Sequence, residues 1–168
     1  MMRNFKDDYE WQERHLDEVI DILRANAHKL MDIRRSSLLD DMKNGSDIEI
    51  PATSGSIGVR MRRDTDFRDL TIRSRRSSGA TTEMEKIRSG CTRWYLYVWF
   101  EGDEIVEWWL IDIDELRDHL DDMIKRGEAP ETVNHDGRTA FRSISRRSIE
   151  ERGAMMARWP IAPDGWDF

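Results

Sequence analysis

The chain has 168 residues, 38% apolar and 36% charged, enough to bury one sizeable core but hardly two, since domains run to about 100 to 200 residues. Seven Trp, five Phe and three Tyr supply bulky core material that disordered chains lack. A formal net charge of -7 excludes a generic polycation, and the longest apolar stretches, Trp94 to Phe100 and Trp108 to Ile111, fall far short of the ~20 residues of a membrane-spanning helix.

Trp11, Leu16, Val19, Ile20, Leu23, Ala27, Leu30 and Met31 recur at intervals of three to five, apart from the adjacent pairs Val19-Ile20 and Leu30-Met31, which predicts an amphipathic helix over Asp8 to Ile33. A second helical stretch is expected at Ser36 to Lys43, with Asn44-Gly45 as its stop, so that residues 8–43 form an N-terminal helical segment. Ser46 to Ser56, interrupted by Pro51 and Gly55, reads as a loop or short edge segment. Val59 and Met61 alternate with Arg60 and Arg62, and Leu70, Ile72 and Ser74 with Thr71, Arg73 and Arg75, the period-two signature of two strands. These are expected to pair with each other across Arg63 to Arg68. Thr82 with Glu85 three residues later forms a capping box that opens a short helix over Glu83 to Arg88, ended by Gly90.

Trp94 to Phe100 and Ile105 to Ile113 are the strongest strands, joined through Glu101-Gly102-Asp103-Glu104 as an antiparallel hairpin with aromatic residues on both faces. The hairpin should be central and covered on both sides by helices. Asp114 is expected to cap a helix carrying Leu116, Leu120, Met123 and Ile124, stopped by Gly127. Thr132 to Ile144 reads as a strand pair turning at His135-Asp136-Gly137, and Ser148 with Glu151 repeats the capping-box spacing ahead of Gly153. An irregular tail, 159–168, is expected to dock by Trp159 and Trp166. The order implies one α+β domain over 1–168, with a mixed or antiparallel central sheet flanked by helices.

A charged N-terminus, Met1 to Glu10, and a lone Cys91 that has no intramolecular disulfide partner point to a reducing cytoplasm. Cys91 reads as a small buried thiol and His15 as a packed or half-exposed structural side chain. The four His show no zinc-ligand spacing, and GxxxxGK[ST], GxGxxG and GxSxG are absent, which removes the best-marked nucleotide and hydrolase readings. Charge is uneven. Gly58 to Arg93 holds ten Lys and Arg against five Asp and Glu, whereas Glu101 to Glu131 holds three against twelve. The basic stretch suits an anionic partner, DNA or RNA, through Arg60, Arg62, Arg73 and Arg75, and solvated strand faces would carry the same residues. Asp64, Asp66 and Asp69 lie between the Arg-bearing strands, ahead of Glu83, Glu85 and Lys86. Carboxylates gathered there can hold a divalent cation, and they can equally cap turns and a helix start.

The stretch from Asp66-Phe-Arg-Asp-Leu-Thr-Ile-Arg-Ser-Arg-Arg76 through Arg93-Trp-Tyr-Leu-Tyr97 to Leu110-Ile-Asp-Ile-Asp-Glu-Leu-Arg117, preceded by a long helix, resembles small phage and mobile-element members of the PD-(D/E)XK nuclease superfamily over about the middle third of the chain. The resemblance implies metal-dependent phosphodiester hydrolysis with Mg2+ or Mn2+ held by Asp66 and Glu83, and Lys86 beside the attacking water. Thr71-Ile72-Arg73 stands where the family carries acidic-x-Lys, so Glu83 and Lys86 would serve from the following helix. The alternative is a non-catalytic, phage-type interaction protein that acts on a host nucleic-acid-binding or defence complex, through its basic strand face or through an acidic segment that mimics phosphate.

Overall fold

The computed structural model describes residues 5–26, 34–35, 48–50, 55–63 and 67–159. Helix α1 spans Phe5–Asn26 and is followed by β1 (Arg34–Arg35), β2 (Ile48–Ile50), β3 (Gly55–Arg63), β4 (Asp69–Arg75), α2 (Glu83–Ser89), β5 (Trp94–Glu101) and β6 (Glu104–Asp112). Then come α3 (Ile113–Lys125), β7 (Glu131–Val133), β8 (Ala140–Ser145), α4 (Arg146–Glu151) and β9 (Met155–Trp159). The architecture is α+β. One mixed sheet runs β1-β2-β3-β5-β6-β9 and a smaller one runs β4-β8-β7. No helix among the described residues is long and apolar enough to cross a membrane.

The β5–β6 hairpin lies inside the larger sheet, as its aromatic content predicts, and alternation along β5 divides the hydrophobic interior in two. Leu96, Val98 and Phe100 face α1 and pack with Trp11, Leu16, Val19, Ile20 and Leu23. Tyr95, Tyr97 and Trp99 face the other way, against Leu70, Ile72, Ile87, Leu116 and Ile144 from the smaller sheet and the remaining helices. Each large apolar side chain buried on either face contributes about 1.5 to 3 kcal/mol, so β5, buried on both, anchors both layers. The capping box of α2 forms as predicted, with Glu85 N–H donating to Thr82 Oγ1 at 3.2 Å, Thr82 N–H donating to Glu85 Oε2 at 2.6 Å, and Gly90 left-handed at φ 72°.

Several boundaries and one pairing differ from expectation. β3 and β4 do not pair. β3 is flanked by β2 on one edge and by β5, parallel to it, on the other, so both edges are occupied and β4 joins β8 instead. Gly55 begins β3 rather than interrupting a loop, and Ile48–Ile50 is a strand. β6 runs directly into α3, so Ile113 is helical and Asp112, not Asp114, is the cap, accepting the Asp114 and Glu115 N–H groups at 2.9 and 3.2 Å. Ser145 caps α4 by accepting Ser148 N–H at 3.1 Å, three residues earlier than predicted. Trp159 belongs to β9, which pairs with β6 opposite Trp108. The predicted helix at Ser36 to Lys43, the last turns of the first helix, Pro51, Asp64, Asp66 and Trp166 lie outside the described residues.

Candidate functional site

On β3, Ile57, Val59 and Met61 pack toward α1, which turns Gly58, Arg60 and Arg62 to the opposite face beside Tyr95, Tyr97 and Trp99. The outer edge of β4 approaches that face, and side chains bridge the two. Arg62 donates to the Thr71 hydroxyl, and its guanidinium lies 5.9 Å from the centre of the Tyr97 ring. The Tyr97 hydroxyl lies 2.8 Å from the Thr71 hydroxyl and donates to the Thr71 carbonyl at 2.8 Å. One strand step further on, Glu83 at the start of α2 is buried. Its Oε2 accepts the Arg73 N–H at 2.8 Å, and Arg60 reaches Oε1 as an ion pair.

Arg73 is crowded by like charge. Burial, followed by the neighbouring Arg76, Arg60 and Arg62, holds its guanidinium below the usual arginine range. The buried Nε of Arg76 and the buried Oε1 of Glu83 have no hydrogen-bond partner among the described residues. Arg60, Arg62 and Arg76 thus lie within electrostatic reach of Arg73 at the β3–β4–α2 junction, where Glu83 contacts Arg60 and the Arg73 N–H. Like charges gathered in this way attract anions, which screen their mutual repulsion.

The structure brings together Arg60, Arg62 and Arg73 of the predicted set. Arg75 is separated from it by a register shift between Arg73 and Arg75, which breaks the alternation expected to set them side by side. Arg75 is exposed, whereas the half-buried Arg76 acts electrostatically on Arg73. Nothing in the period-two pattern marks Arg76. Glu83 sits at the junction, with Oε2 accepting the Arg73 N–H and Oε1 facing Arg60 as an ion pair without a hydrogen bond. Lys86 is half-buried one turn further along α2. Asp66 lies outside the described residues, and among the described residues no group of three or more His, Cys, Asp or Glu is placed to hold a metal ion.

A second polar cluster lies on the far side of the sheet. His15 is buried between Trp11 and Phe100, at 4.7 and 4.8 Å between ring centres, with Nε2 3.2 Å from Asp103 and Nδ1 3.4 Å from Glu18. Trp11 Nε1 donates to the same Asp103 oxygen at 3.1 Å, which ties α1 to the β5–β6 turn. Hydrogen bonds from Trp11 first, and then His15, hold the Asp103 carboxyl below its usual range. This is the structural role expected of His15. A broad surface depression of about 650 Å³ beside it, lined by Asp7, Tyr9, Glu10, Glu13, Arg14 and Arg63, gathers mixed charge without a convergent reactive group.

No protein-family model matches the chain, and no curated protein matches it.

Proposed function

We propose that this chain binds the phosphate backbone of a nucleic acid through Arg60, Arg62, Arg73 and Arg76, with Arg75 on the exposed rim. The observation that carries the reading is the convergence of β3 and β4 arginines on one face, where Arg60 pairs with Glu83, Arg62 donates to Thr71, and the Arg73 N–H is held by Glu83. Guanidinium groups present planar, paired donors that match phosphate oxygens, and a bound phosphate relieves the repulsion among them. The acidic segment supports the rival surface less well: on α3, Asp114, Asp121 and Asp122 are paired with Arg117, Arg88 and Arg126 at 2.8, 2.7 and 2.9 Å.

Within this reading, binding without cleavage is favoured over hydrolysis. The PD-(D/E)XK resemblance requires Glu83 to offer carboxylate oxygen to Mg2+ or Mn2+. Here Oε1 faces Arg60 and Oε2 takes the Arg73 N–H, so a cation would have to displace a guanidinium from a region already rich in positive charge. Glu83 in this arrangement does not fit as a metal ligand.

The test is fluorescence anisotropy with labelled oligonucleotides at several salt concentrations, comparing wild type with Arg73→Gln/Arg76→Gln. The double variant is expected to weaken binding to any sequence and to flatten the plot of log affinity against log salt by about 0.7 to 0.9 for each phosphate no longer gripped. Absence of wild-type binding at low salt would overturn the proposal, and a variant that keeps both affinity and slope would move the interface away from this cluster.

A further inference from the structure

Among the large apolar side chains that remain exposed, Phe67 stands out at 78%. Burying a phenylalanine stabilises a protein by about 1.5 to 3 kcal/mol, a contribution this residue forgoes. Its backbone is nevertheless held firmly. Trp99, 1% exposed, donates from Nε1 to the Phe67 carbonyl at 2.9 Å. The next residue, Arg68, is tied to Glu107 at 3.1 Å and to Glu101 at 3.7 Å, and its guanidinium lies 5.9 Å from the centre of the Trp99 ring. An exposed aromatic ring is thus mounted on an anchored stretch of chain.

Its location links it to the arginines. Trp99 lies opposite Arg62 in the β3–β5 register, so the indole that fixes Phe67 and the Arg62 side chain share one face of the sheet. Thr71, which receives the Arg62 hydrogen bond, is four residues from Phe67, at most about 13 Å of extended chain, and Arg73 is two residues further along β4. The other exposed large apolar residues, Tyr9, Val133, Met156 and Trp159, belong to α1, β7 and β9, away from the junction.

We infer that Phe67 is a base-stacking platform at one end of the arginine cluster, and that the nucleic acid gripped there is single-stranded. The inference rests on the phosphate-binding reading above and adds the substrate class. In a duplex the base faces are stacked on one another, so a protein surface meets phosphates and groove edges but no free base face. A single strand offers both, phosphates to Arg62, Arg73 and Arg76 and an unstacked base to the Phe67 ring, and pairing cationic grooves with aromatic platforms is how sequence-tolerant single-strand binders work.

The experiment compares wild type, Phe67→Ala and Phe67→Trp by fluorescence anisotropy. The probes are a labelled single strand about 12 nucleotides long, a length that one small binding module covers, and the duplex of the same sequence. Wild type should bind the single strand more tightly. Phe67→Ala should lower that affinity by roughly 5- to 150-fold, the loss of one stacked base, while leaving the salt slope and the duplex affinity unchanged. Phe67→Trp should retain single-strand binding. Because residue 67 is exposed, far-UV circular dichroism of the three proteins should coincide. If wild type binds single strand and duplex equally and Phe67→Ala changes neither, the stacking inference falls and phosphate binding stands. If wild type binds neither at low salt, both fall together.

Discussion

The Tyr97 hydroxyl does for Thr71 what a neighbouring strand would otherwise do, accepting its N–H at 3.2 Å and donating to its carbonyl at 2.8 Å. Unpaired edges expose strand backbones to unwanted pairing. Here β4, at the outer edge of the smaller sheet, has Thr71 closed by Tyr97 and the Arg73 N–H closed by Glu83, so a side chain from each of two other elements replaces a ladder. The smaller sheet is thereby docked on the larger one at the point where the arginines gather.

Tyr97→Phe tests that docking. The phenylalanine ring fills the same buried space, but the Thr71 N–H and C=O lose their partner. An unsatisfied buried polar group costs about 1 to 3 kcal/mol, so a loss of that order is expected in urea unfolding. A loss below about 0.5 kcal/mol would show that water satisfies Thr71 as well as the hydroxyl does.

Glu83 should behave as a charge-balancing residue. Glu83→Ala removes the acceptor for Arg73 N–H and the partner of Arg60, and hydrogen bonds to charged groups contribute about 1.5 to 3 kcal/mol, so stability should fall by about that much. Glu83→Gln keeps an acceptor and should fall less. Because it removes a negative charge from the arginine cluster, Glu83→Gln should also tighten oligonucleotide binding about twofold to fivefold at low salt. A metal ligand behaves differently: weakened binding that depends on added Mn2+ would restore Glu83 to the hydrolytic role.

Much of this was legible in the chain, for physical reasons that differ by element. Alternation of Leu96, Val98 and Phe100 with Tyr95, Tyr97 and Trp99 follows from strand geometry alone, and the Thr82/Glu85 box is a local hydrogen-bonding pattern. Pairing is not local. β3 and β4 are close in sequence, yet β3 already has partners on both edges, and only the assembled sheet reveals it. Met155–Trp159 carries no clean alternation, and its strand character comes from pairing with β6. At the site, Arg60, Arg62 and Arg73 are readable from the period of two. Arg76 is not, because the irregularity after Arg73 shifts which side chain comes next to it.

Gly58 is predicted to be intolerant of any side chain, for reasons of space rather than backbone conformation. A Cβ at this buried position would run into the Tyr95 ring, its cross-strand neighbour, which is itself 4% exposed. Forcing such an overlap in a packed interior costs about 1 to 3 kcal/mol, and Gly58→Ala should show that loss. Shortening the ring should relieve it, so Gly58→Ala/Tyr95→Leu should be more stable than the two single losses added together. Strict additivity would mean that the Tyr95 ring moves aside without cost.

The Asp103 clamp makes a prediction about acid. Hydrogen bonds from Trp11 Nε1 and His15 lower its folded pKa below the value it has in the unfolded chain, about 3.9 for an aspartate. A carboxylate with a depressed folded pKa adds stability that is fully present above the unfolded pKa and is lost as pH falls through the folded one. Asp103→Asn removes that titration while keeping a side-chain oxygen within reach of Trp11. Wild type should therefore exceed the variant in stability above about pH 5, and the margin should close as pH falls below about 4. Urea unfolding at a series of pH values, followed by tryptophan fluorescence, reads both curves. Raising the salt concentration should shrink the margin only slightly, since its largest part is a hydrogen bond from a neutral indole rather than an exposed ion pair. A margin that stays constant through pH 3 would show that Asp103 is not held in its charged form by these hydrogen bonds.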